Sequence, residues 1–88
     1  MKAREFEAWT ANLCEVACME NISPESLRET VESRAKFEAV FRRANSDLKE
    51  VLLFAQFCRL SSKNDPSDDR WWYLLEALKE SLKFKLKK

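Results

Sequence analysis

The sequence predicts an all-α protein, a compact bundle of four to five helices around a central apolar helix at about residues 47–60. Three observations carry that expectation. Apolar residues recur at i, i+3, i+4 spacing through most of the chain. There is no glycine, so any turn or helix end that needs a positive φ must use asparagine or aspartate, and the asparagines serve as punctuation. Residues 47–60 are apolar in nearly every direction around a helix, as in a helix with neighbours on all sides. At 88 residues and 10.4 kDa, the chain forms a single domain spanning 1–88.

The first segment, about Lys2 to Glu20, sets Phe6, Trp9, Leu13, Val16 and Ala17 on one face. Asn21 then precedes Ile22, Ser23 and Pro24, a helix end followed by a cap and by a proline suited to the first helical position. From Pro24 to Ala44 the apolar face holds Leu27, Val31, Phe37, Val40, Phe41 and Ala44, but Arg34 and Glu38 fall inside the same arc. Either a bend at residues 32–35 divides this stretch into two short helices, the reading favoured here, or Arg34 and Glu38 form an i, i+4 ion pair.

Asn45 and Asn64 read as further helix ends, each followed by a cap: Asn45 precedes Ser46 and Asp47 and the third segment, Asp47 to Leu60, and Asn64 precedes Asp65 and the fourth, Pro66 to Lys87. Between them, Ser61 to Asp69 reads as a polar, mobile linker. The fourth segment carries a stripe of Trp71, Leu74, Leu75, Leu78 and Leu82, with lysines gathered at its end, where they complement the helix dipole.

Composition excludes much chemistry. Without glycine there is no phosphate-cradling loop and no nucleophile elbow. The absence of histidine removes the commonest general base and the usual zinc ligand sets. Cys14, Cys18 and Cys58 read as reduced core thiols rather than a metal site. Asp65, Ser67, Asp69 and Glu76 match calcium-loop positions, but Arg70 stands where the sharp turn needs glycine. The expectation is therefore a non-catalytic protein with neither metal nor cofactor. The first residues mix acids and bases without a signal-peptide pattern, and the longest apolar run, Val51 to Ala55, is five residues long. Both features predict a cytoplasmic chain without a membrane span.

Three binding readings remain. The first is protein recognition through an aromatic helix surface. Trp71, Trp72 and Tyr73 point about 100° apart on a helix, so one core cannot take all three. Together with Phe84, which lies off the leucine stripe, they are the candidate protein-binding residues of a small regulator, inhibitor, immunity or anti-defence factor, or chaperone-like adaptor.

The second is a helix-turn-helix-like nucleic-acid contact at 34–43 through Arg34, Lys36, Arg42 and Arg43. A net charge of +1 gives it no basic footprint. The third is a membrane surface met by Lys83, Lys85, Lys87 and Lys88, which Glu76 and Glu80 dilute. Charge is also uneven along the chain. Residues 1–32 hold three bases and seven acids, and residues 33–60 hold six bases and three acids, an asymmetry that reads first as complementarity within one chain and otherwise as the orienting charge of a head-to-tail homodimer.

Overall fold

Five helices account for the fold: α1 (Ala3–Met19), α2 (Pro24–Glu32), α3 (Arg34–Arg43), α4 (Ser46–Asn64) and α5 (Arg70–Leu86). The structure, a computed structural model, describes residues 2–86, with their side chains as far as Lys83. No strand occurs among the described residues.

Local chemistry explains most of the boundaries. α1 ends where Asn21 turns into the left-handed region at φ 56°, the service that glycine usually provides, and the Ile22 amide donates back to the Ala17 carbonyl. α2 starts at Pro24 behind Ser23, whose hydroxyl accepts from the Ser26 amide at 3.1 Å. A single residue, Ser33, then separates α2 from α3. Its amide closes α2 on the Glu29 carbonyl, while its hydroxyl caps α3 at the Lys36 amide. The bend and the Arg34–Glu38 pair, framed above as alternatives, coexist: the pair forms at 3.3 Å within α3.

Three expectations need correction. Only Asn21 takes a positive φ among the described residues; Asn45 acts instead as the N-cap of α4, accepting from the Leu48 amide at 2.8 Å. α4 continues through Asn64, so the first four of the nine residues of the expected linker are helix. α5 begins at Arg70, and Pro66 lies in the preceding turn. The remaining loop is tied down. Arg70 reaches the Asp68 carboxylate through Nε at 3.0 Å and Nη2 at 2.6 Å, and Ser61 bridges them, donating to Asp68 and accepting from Arg70.

Helices α1, α4 and α5 pack against one another, and α2 and α3 close the remaining side. Among the described residues, α4 alone touches all four other helices, which places the apolar segment at the centre. The core runs from Leu13 and Ala17 through Leu27, Val51 and Leu52 to Trp71, Leu74 and Leu78, all essentially inaccessible. Phe6 meets Tyr73, and Cys14, eight residues further on, is close enough to Ser81 to feel its hydroxyl. Residue numbers therefore rise together along α1 and α5, and the two helices run parallel. No described helix is long and apolar enough to cross a membrane.

Candidate functional site

The three consecutive aromatics of α5 diverge as the helical geometry requires. Trp71 is fully buried among the core leucines, so it is withdrawn from the binding surface and serves packing; its indole N–H has no hydrogen-bond partner among the described residues. Trp72 turns toward α2, where the Arg28 guanidinium sits 5.5 Å from its ring centroid. Tyr73 turns the other way, toward α1, with its ring 5.5 Å from Phe6. About half of each of the last two rings is exposed, on opposite flanks of α5. They do not form one patch. Phe84 belongs to α5, but its side chain lies outside the described residues.

Tyr73 stands at one end of an open groove of about 990 Å³ between α1 and α5. The groove exists because both helices present short side chains there: Ala11, Cys14 and Cys18 from α1, and Ala77 and Ser81 from α5. Larger residues at these positions would meet across the gap and fill it. Met19, largely exposed, lies at the far end from Tyr73. Behind Tyr73 the aromatic contacts continue inward from Phe6 to Phe54 at 6.0 Å and from Phe54 to Trp9 at 5.4 Å, the latter pair stacked. These rings anchor the Tyr73 end of the groove to α4.

The rim is charged. Glu7 and Glu15 flank the groove on α1, and Glu80 and Lys83 on α5 pair with each other at 3.7 Å. Burial raises the pKa of Cys14, against the opposing influence of the Ser81 hydroxyl. Cys58, fully buried in α4, is pushed up to about 11 by the same cause. Neither thiol is an activated nucleophile. Among the described residues, no cluster of three or more cysteine or carboxylate side chains is placed to hold a metal ion.

A second apolar feature escaped the sequence reading. Leu53, Phe57 and Leu60 lie one turn apart along the outer side of α4, each about half exposed. The expectation that α4 is enclosed on all sides is therefore corrected: four neighbours cover its inner face, and this stripe is left to solvent. Its signal was already present in residues 47–60, since a bundle this small has too few helices to surround a fifth.

The basic segment is arranged differently from a reading helix. Lys36 pairs with Glu29 at 3.0 Å, Arg34 pairs with Glu38, and the Arg43 Nε donates to the Ala39 carbonyl at 3.4 Å. Arg42 is exposed. Phe37 and Phe41 stack on each other at 5.6 Å and pack against the core, so α3 commits its apolar side inward. One residue joins α2 to α3, where a helix-turn-helix uses a turn of three or four.

Comparison with family models, with curated proteins and with solved structures finds no match to this chain.

Proposed function

We propose that this chain is a small, non-catalytic protein-recognition module that holds a helical segment of a partner in the groove between α1 and α5. The observation that carries this reading is the groove itself: short, largely apolar side chains on its floor, with a half-exposed Tyr73 at one end. Two neighbouring helices with a trough between them are the usual receptor for an amphipathic helix, which lays its apolar face into the trough. Tyrosine is also a residue type favoured where binding energy concentrates, because a large, rigid ring costs little conformational entropy to immobilise. A module of this kind works as an inhibitor, an immunity or anti-defence factor, or an adaptor, by occupying or masking the partner's helix. Its three cysteines are unpaired, which suits a reducing compartment such as the cytoplasm.

The test is a pull-down from native host lysate, with and without nuclease and at two salt concentrations, using the wild-type chain and an Ala11→Arg variant. Ala11 is exposed on α1 and lines the groove, so arginine fills the trough without entering the core. The expected result is a stoichiometric protein that survives nuclease and salt and is lost with Ala11→Arg. Nucleic acid released by higher salt, and unaffected by Ala11→Arg, would replace this reading with contacts by Arg34, Lys36, Arg42 and Arg43.

A further inference from the structure

We infer that the segment this groove takes is a cationic amphipathic helix, with its basic side chains two turns apart on the flank that faces α1. The inference rests on the groove reading above and adds the chemistry of the occupant. From Glu7 to Met19 the α1 side of the groove spans twelve residue steps, about 18 Å at the helical rise, which accommodates roughly three turns of a partner helix. The floor of Ala11, Cys18 and Ala77 offers depressions rather than knobs, so the partner supplies the large apolar side chains.

Charge then selects the partner's flanks. On the α5 side Glu80 and Lys83 neutralise each other. On the α1 side Glu7 and Glu15 are both exposed, and neither is in an ion pair among the described residues. They lie two turns apart, about 12 Å along the axis, and present negative charge along one wall that no ion pair among the described residues offsets. The C-terminal end of α1 carries no basic residue in its last turn, so the helix dipole adds to the negative field at the Glu15 end. A partner with lysine or arginine at positions i and i+7 or i+8 matches both acids at once, and an acidic helix is repelled by both.

Two 16-residue helical peptides make the test, identical in a leucine-rich apolar face and differing only in carrying lysine or glutamate at two flank positions eight residues apart. Binding is read by fluorescence anisotropy and located by amide shifts at Ala11, Cys18 and Ala77. We expect the lysine peptide to bind the wild-type chain about tenfold more tightly than the glutamate peptide, with a margin that shrinks as salt rises. In a Glu7→Lys/Glu15→Lys variant the preference should reverse, and Ala11→Arg should abolish both complexes. Equal or stronger binding of the glutamate peptide, still abolished by Ala11→Arg, would overturn the cationic inference while leaving the groove as a receptor. Failure of both peptides to move the groove amides would overturn the groove reading and this inference with it.

Discussion

Asp68 accepts hydrogen bonds from the guanidinium and backbone amide of Arg70 and from the hydroxyl of Ser61. The Arg70 hydrogen bonds come first among the influences that hold its carboxyl far below the usual aspartate range, followed by that of Ser61. A carboxyl that is harder to protonate folded than unfolded contributes stability above the ordinary aspartate pKa of about 4, and that contribution is lost as pH falls toward the lower folded value. Asp68→Asn is therefore expected to lower the thermal midpoint at neutral pH and to flatten its decline below about pH 4. Parallel pH profiles for the two proteins would show that the clamp contributes nothing. Asp68 also caps the Arg70 amide at the start of α5. Its bond to Ser61 was not legible in the sequence, because it depends on α4 continuing past Leu60. Among the candidate site residues, the divergence of Trp71, Trp72 and Tyr73 followed from helical geometry alone. Which ring turned inward depended on the register of the leucine stripe, and Trp71 shares that stripe with Leu74, Leu75 and Leu78.

Caps decide where these helices begin, and they differ in quality. Asn45 caps α4 with a 2.8 Å bond to the Leu48 amide, whereas the Ser33 bond to Lys36 is 3.4 Å. Asn45→Ala is expected to cost about 1 kcal/mol or more, Ser33→Ala less, and Asn45→Asp almost nothing. Urea midpoints measure all three, and equal losses at 33 and 45 would contradict the ranking. The break at Ser33 was legible because Arg34 and Glu38 interrupt an apolar arc that one continuous helix would have had to bury. The start of α5 was misplaced because Pro66 fits a first helical position on local grounds. The chain instead spends residues 65–69 in a turn held by Asp65, whose carboxylate accepts from the Ser67 amide and hydroxyl. The groove between α1 and α5 was the least legible part. It arises from pairing two helices far apart in sequence, and the alanines that form its floor look like ordinary helix formers until both are placed.

As a whole molecule, the chain exposes 6229 Å², more than the roughly 5,400 Å² typical of a folded protein of this mass. Its extents of 37 × 28 × 21 Å describe a flattened body with a furrow on one side and the Leu53, Phe57, Leu60 stripe along α4. For an isolated chain, Leu60→Gln should cost less than about 1 kcal/mol, against about 2–5 kcal/mol for Leu74→Ala in the core. Denaturant unfolding compares the two, and a core-sized loss at Leu60 would mean that another molecule covers the stripe in solution. The parallel arrangement of α1 and α5 also constrains the order of assembly. Among the described residues α1 packs on α4 and α5, and not on α2 or α3, which follow it directly in the chain. Its buried face of Leu13, Val16 and Ala17 therefore has nothing to lie against until the chain has been made past residue 45, and lacks its parallel partner until past residue 70. In a growing polypeptide α1 waits for α5. Closure is a late, long-range event, and a chain halted before α5 displays an uncovered apolar helix face to whatever binds nascent proteins.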